Sequence, residues 1–141
     1  MKCNVDGAIF QVQGCYGIGM CLRGEQGQYI AAKTAWYKGL PQPHEAEAHG
    51  LKEAIKWLGT MSQPSMSIEL DCKQVVDGIS STLGVNSMFG AILDVCKASL
   101  QKFQNFKLSF VRRQANNVAH LLAREFMIIC HLVLKLILLM K

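Results

Sequence analysis

Nowhere in this 141-residue chain do two cysteines form a C-x-x-C pair, although six are present, at Cys3, Cys15, Cys21, Cys72, Cys96 and Cys130. That spacing excludes a zinc knuckle and gives no compact disulfide framework. No secretory signal opens the sequence, so reduced thiols in an intracellular protein are the expectation. Charge is also scarce, at 18% of residues against 50% hydrophobic. That balance argues against intrinsic disorder and allows a real core. Basic residues do not cluster, and Arg112-Arg113 is the one adjacent pair. Fifteen Lys and Arg against 10 Asp and Glu leave a net charge of +5, which permits an anionic partner without requiring one. With no internal repeat, low-complexity tract or long linker, the chain reads as a single domain.

Several familiar chemistries fail on geometry. His44-Glu45-Ala46-Glu47-Ala48-His49 looks like a zinc-protease helix, but its histidines are five apart. Five helical residues place them about 140° apart around the axis, so they cannot share one metal face. Gly17-Ile18-Gly19 lacks a third glycine at the required spacing and lies within a strand pattern, which excludes a dinucleotide fingerprint. No nucleophile elbow supports a Ser/His/Asp triad.

What is present alternates or repeats with clear periods. Lys2 to Phe10, Cys15 to Leu22 and Tyr29 to Ala35 read as three strands of an antiparallel meander, with a turn at Gly24-Glu25-Gln26-Gly27. In the second strand Tyr16, Ile18, Met20 and Leu22 form a large face; Cys15, Gly17, Gly19 and Cys21 form a small one. A face that small lets another element approach the backbone closely. Pro41 and Pro43 introduce a helix from His44 to Leu58, with Leu51, Ala54, Ile55 and Leu58 inward and Gly59 closing it. Ser67 to Leu70 is a short strand and Lys73 to Ser81 a short helix. Phe89, Ile92, Leu93, Cys96, Leu100 and Phe103 mark an amphipathic helix, Phe106 to Phe110 a last strand, and a final helix starts near Asn117. This order predicts an α/β fold, a mixed sheet with helices packed against it.

The tail differs in kind. Phe126 to Met140 is almost wholly Leu, Ile, Val, Met and Phe, broken by His131 and Lys135. A bilayer span needs roughly 20 apolar residues, so the tail is expected to continue the final helix with an oversized apolar face, and a membrane partner is not expected.

Three carboxylates stand out by position. Asp6 ends the first strand and precedes Gly7-Ala8, and Asp71 ends the fourth strand in the same way. Ligands of open α/β sheets usually bind at such carboxyl ends. Glu47 shares the apolar face of its helix with Leu51 and Ala54, where a carboxylate needs a compensating partner. Each also has a plain explanation. Asp71 reads as a helix N-cap with Gln74 completing a capping box, which alone is the stronger reading. Glu47 could serve the helix dipole, and Asp6 a turn. Together, the three form the oxygen-rich, multiply charged cluster that hard divalent cations require.

The segments NVDGA (4–8), GIGMCLRGEQGQYIAAK (17–33), EAEAHGLKEAIKWL (45–58), IELDCKQVVDGI (68–79) and RRQANNVAHLLARE (112–125) follow one another in order. Together they resemble the plant, retroelement-derived branch of the ribonuclease H type 1 domain, over residues 2–125, with 126–141 as an appended apolar tail. The resemblance implies a five-stranded mixed sheet ordered 3-2-1-4-5, flanked by helices, and metal-dependent cleavage of the RNA strand of RNA–DNA hybrids. It matches Asp6, Glu47 and Asp71 to the catalytic, metal-binding acids, and places His120 where the family has a fourth acid. It also implies two Mg²⁺ ions about 4 Å apart. Imidazole there removes a negative charge and suits Mn²⁺ better than Mg²⁺. The second metal is then expected to bind more weakly and activity to be reduced, with a neutral His120 in the first turn of a helix capped by Asn117 free to ligate or take a proton. Arg112, Arg113 and Asn116, which matches the family's asparagine, are candidate contacts to the nucleic-acid backbone. The arginines read equally as a solvated loop. A nucleic-acid-binding module without catalysis, or a piece of a longer retroelement, is the alternative.

Overall fold

The computed structural model describes residues 1–61, 65–82, 84 and 86–140, without the side chains at 126, 127 and 129–134. Its strands are β1 (Lys2–Phe10), β2 (Cys15–Arg23), β3 (Tyr29–Lys38), β4 (Met66–Leu70) and β5 (Phe106–Phe110). Its helices are α1 (Pro43–Gly59), α2 (Lys73–Ser80), α3 (Met88–Gln101) and α4 (Asn117–Leu139), with a 3₁₀ turn at Arg113–Asn116 before α4. The sheet runs β3-β2-β1-β4-β5. β1 pairs antiparallel with β2 and parallel with β4, and β5 is parallel to β4. The α/β class and the strand order are as expected from the sequence. Among the described residues, no helix is long and apolar enough to cross a membrane.

The large-residue faces of β1, β2 and β4 turn toward α1. Val5, Ile18, Met20, Leu22, Ile68 and Leu70 pack there against Leu51, Ile55 and Leu58, all buried. Each such side chain stabilises the fold by about 1.5–3 kcal/mol relative to exposure. α1 starts cleanly because Pro43 occupies its first position and Glu45 accepts the Gln42 N–H at 2.8 Å. Gly59 is its last helical residue, one past the end expected at Leu58, and Thr60 caps it. α3 holds five of the six expected periodic positions and buries Phe89, Leu93 and Cys96, while Phe103 lies beyond its end. Cys3, Cys21, Cys72 and Cys96 are thiols.

β3 continues to Lys38, three residues past the end expected at Ala35. Tyr37 stays in register opposite Tyr16, with ring centroids 5.4 Å apart, and Gly39 at φ 126° ends the strand. Aromatic cross-strand packing, rather than the alternation itself, extends the strand.

The other face of the sheet is covered by α4, and glycine makes that possible. A Cβ at Gly17 would overlap the Ala123 carbonyl, and one at Gly19 would overlap the backbone of Ala119 and Ala123. Thr34 Oγ1 adds a hydrogen bond to the Leu122 carbonyl at 2.8 Å. Beyond this contact α4 extends as one helix. Leu136, Leu138, Leu139 and Met140 are exposed, while the expected apolar face at 126, 127 and 129–134 lies outside the described residues.

Replacing Gly19 with alanine should cost on the order of 2–3 kcal/mol, since the clash is with backbone that cannot rotate away. Urea denaturation of Gly19→Ala checks this. A midpoint equal to the parent's would mean that α4 does not lie this close to β2.

Candidate active site

Strand periodicity brings Asn4 and Asp6 to the α4 side of β1, and both are buried. Asp71 follows β4 next door, where the parallel register sets Val5 beside Leu70. Glu47 comes from α1 on the opposite face, and Gly7 lets it through. A Cβ at Gly7 would stand 3.3 Å from the Ala46 backbone, tighter than an ordinary contact. The Gly7 N–H instead donates to Glu47 Oε1 at 3.1 Å.

The result is a knot of acid. Oxygens of Asp6, Glu47 and Asp71 lie within 4.8 Å of one another. Asp6 is 0% and Glu47 8% exposed. Asp6 Oδ1, Glu47 Oε2 and Asp71 Oδ2 are buried without a hydrogen-bond partner. Burial pushes the Glu47 carboxyl far above the usual range, the neighbouring Asp6 and Asp71 push it further, and the Gly7 N–H opposes them. Asp71 is also raised, by burial first and then by Asp6, against the pull of Arg113. A buried cluster of unsatisfied oxygens with raised pKa values is what a hard cation would relieve, so these residues fit a divalent metal.

His120, in the first turn of α4, places Nδ1 2.7 Å from Asp6 Oδ2. Arg113 Nε pairs with Asp71 Oδ2 at 3.2 Å, and its Nη1 stands 3.3 Å from the same His120 Nδ1. Both contacts fall on the same nitrogen, which can donate to Asp6 or accept from Arg113 but not both.

Four expectations from the sequence need correction. Asp6 does not end its strand but lies in the middle of β1, which stays paired with β2 through Phe10. Asp71 is not an N-cap: Cys72 holds that position of α2, with no capping bond from its side chain to the first turn. Asp71 is instead turned toward Arg113. Asn116 is not placed to grip nucleic acid, being fully buried, with Nδ2 donating to the Val5 carbonyl at 2.7 Å and Oδ1 accepting from Asn4 Nδ2 at 3.1 Å. It, rather than Asn117, is also the residue before α4's first turn. Arg112 and Arg113 are exposed.

Sequence reasoning passed over the brace behind the site. Asn4 Nδ2 donates to Glu69 Oε1 at 3.1 Å as well as to Asn116, and Arg23 donates to Asn4 Oδ1. Glu69 also pairs with Lys2 at 3.6 Å. Asn4 could have been noticed, because period two puts it on the face of Asp6 and a buried amide there needs partners. His44 and His49 take separate places, one edge-on to the Phe89 ring and the other bonded to Tyr16 at 2.7 Å.

A mixed sheet of this order, with acids in the middle of β1, at the end of β4 and on the inward face of α1, defines a ribonuclease H-like domain. The sequence model of the reverse transcriptase-like family matches residues 4–126, and the chain belongs to that family. Its fold is similar to that of ribonuclease H1 from the archaeon Halobacterium salinarum, with a TM-score of 0.79 at 20% identity, covering 88% of this chain and 94% of the other. It is similar to the N-terminal RNase H domain of a Mycobacterium tuberculosis protein (TM-score 0.75, 19% identity, 88% and 90% covered). It also resembles LC11-RNase H1, isolated from compost by a metagenomic approach and solved in complex with RNA/DNA hybrid (TM-score 0.70, 19% identity, 88% and 94% covered). No curated protein matches the sequence.

Raised carboxyl pKa values make the metal-free fold pH-sensitive in a defined direction. Between the unfolded pKa near 4.5 and the raised folded value, the native state holds more protons, so stability falls as pH rises. In EDTA the Tm should decline from pH 5 to 8, and Glu47→Gln should flatten the decline. At pH 8 the variant should melt at least about 3 °C higher, roughly 1 kcal/mol for a chain of this size. Thermal melts across that range decide it; parallel curves would mean that Glu47 is not charged at a cost.

Proposed function

We propose that this chain is a divalent-metal-dependent ribonuclease that hydrolyses the RNA strand of RNA–DNA hybrids. The observation that carries the reading is the cluster of Asp6, Glu47 and Asp71 beside the middle of β1 and the carboxyl end of β4: their carboxylates come within 4.8 Å of one another, and each keeps a buried oxygen without a hydrogen-bond partner. The family and the fold support it, and one structural neighbour was solved with an RNA/DNA hybrid. Asp6, Glu47 and Asp71 would hold Mg²⁺ or Mn²⁺. Bound there, two divalent cations would supply activation of the attacking water and stabilisation of the leaving 3′ oxygen.

The chain's own groups divide the remaining work. Gly7 fixes one oxygen of Glu47 and leaves Oε2 to face the cluster. Asp6 holds His120 through Oδ2 and keeps Oδ1 unsatisfied. His120 stands beside the acids, where its imidazole would ligate, or take a proton from, a group entering the site. Arg112 and Arg113, exposed beside the acids, meet the phosphates of the duplex, whose 2′-hydroxyls distinguish RNA from DNA. Imidazole in place of a fourth carboxylate lowers the charge available to a second cation, so cleavage is slower in Mg²⁺ than in Mn²⁺.

A binding module without catalysis is the second reading. It is favoured by His120 and Arg113, which put nitrogen and positive charge on the flank of the acids.

A labelled hybrid incubated with purified protein in Mg²⁺ and in Mn²⁺ separates the two. Cleavage of the RNA strand is expected, and Asp71→Asn should slow it on the order of a hundredfold or more, the scale of a lost metal interaction. His120→Asp should raise the Mg²⁺-supported rate. Folded protein inactive in both metals, with hybrid affinity that falls as salt rises, would establish the binding module instead.

A further inference from the structure

Arg113 stands where charge arithmetic makes it more than a phosphate contact. It is one side chain with two engagements at the acid cluster, Nε on Asp71 Oδ2 at 3.2 Å and Nη1 beside His120 Nδ1 at 3.3 Å. His120 in turn rests on Asp6 at 2.7 Å. A chain of contacts thus runs from Asp71 through Arg113 and His120 to Asp6, along one flank of the cluster. The opposite side is bounded by Glu47, whose Oε1 is held by Gly7. Asp71 Oδ2 has no hydrogen-bond partner of good geometry, so Arg113 neutralises it without satisfying it. The Arg113 side chain is 61% exposed and Asp71's 5%. The cation is therefore open to solvent, while the anion is buried.

We propose that Arg113 is an internal counter-cation, which covers Asp71 while the acid cluster lacks metal and must swing away before a second divalent ion can bind. This inference rests on the metal-binding reading of Asp6, Glu47 and Asp71. Once a cation has entered and all three carboxylates are ionised, their charge less one guanidinium is two negative, which that single divalent cation neutralises. A second cation would bring excess positive charge beside the guanidinium unless Arg113 leaves. A phosphate that takes the Nε edge of the Arg113 guanidinium competes with Asp71 for the N–H that now faces it. A phosphate that draws Arg113 outward uncovers Asp71, so duplex binding and occupancy of the second metal position support each other.

Mn²⁺ alone, titrated by calorimetry without nucleic acid, tests the proposal. Arg113→Gln should tighten Mn²⁺ binding on the order of tenfold, or add a second binding event, while Arg112→Gln should change affinity less than twofold. In EDTA, Arg113→Gln should melt below the parent, since Asp71 loses its counter-charge. In saturating Mn²⁺ the two should converge. Lysine at position 113 keeps a positive charge and should behave nearer the parent. Equal Mn²⁺ affinity and stoichiometry in parent and Arg113→Gln would overturn the counter-cation role and leave the metal site standing. No Mn²⁺ binding by either protein would instead overturn the metal site itself, and this inference with it.

Discussion

Three carboxylates held within 4.8 Å repel one another, and most of the architecture around them exists to hold them there. The strain is real because the group is buried: in a medium of low effective dielectric, like charges at such distances cannot all remain ionised without a cation. The chain meets this with few groups. One N–H, from Gly7, supports Glu47; one imidazole supports Asp6; one guanidinium supports Asp71. Each acid keeps an oxygen unsatisfied. The design leaves the cluster coherent but unfinished, as a binding site for hard cations must be.

The acids converge because glycines sit where two layers must meet. Gly7 opens β1 to the backbone of α1, so that Glu47 reaches from one face of the sheet toward acids on the other. Gly17 and Gly19 let α4 lie against β2, which brings His120 down to Asp6. Behind them the Asn4 and Asn116 amides tie the turn before α4 to β1, with Glu69 and Arg23 as outer partners. Both amides are buried and fully engaged, so the brace fixes α4's starting point rather than merely filling space.

This division explains what could be read from the residues in order. The strand alternations, the small face of β2 and the inward row of α1 are local patterns, and local periods specify which side of an element is buried. They located Asp6, Glu47 and Asp71 and anticipated that something would press closely on β2. What they could not separate were meanings that share one local signature. An aspartate followed three residues later by glutamine reads as a capping box whether or not the chain turns it outward, and only the arrival of Arg113, 42 positions away in sequence, settles Asp71. Asn116 was misread for the same reason, since its partners Asn4 and Val5 lie 112 and 111 residues distant. The end of β3 depended on Tyr16 across the sheet. Pairings of such separation leave no period in the sequence.

Stability and function pull against each other at this site. Removing a charge from Asp6, Glu47 or Asp71 relieves repulsion in the metal-free fold, while also removing a group the cation needs. The outer groups make that conflict tolerable. Arg113 and His120 lie on the α4 side, joined to the acids by polar contacts and with the Arg113 side chain open to solvent, and a contact of that kind can be exchanged at small cost. Glu47 has no such freedom, being buried on α1 and fixed by backbone. The site is therefore rigid where it must define a cation's place and yielding where a second charged group has to enter. That asymmetry follows from its construction across a sheet, with a packed helix on one face and the start of another helix on the other.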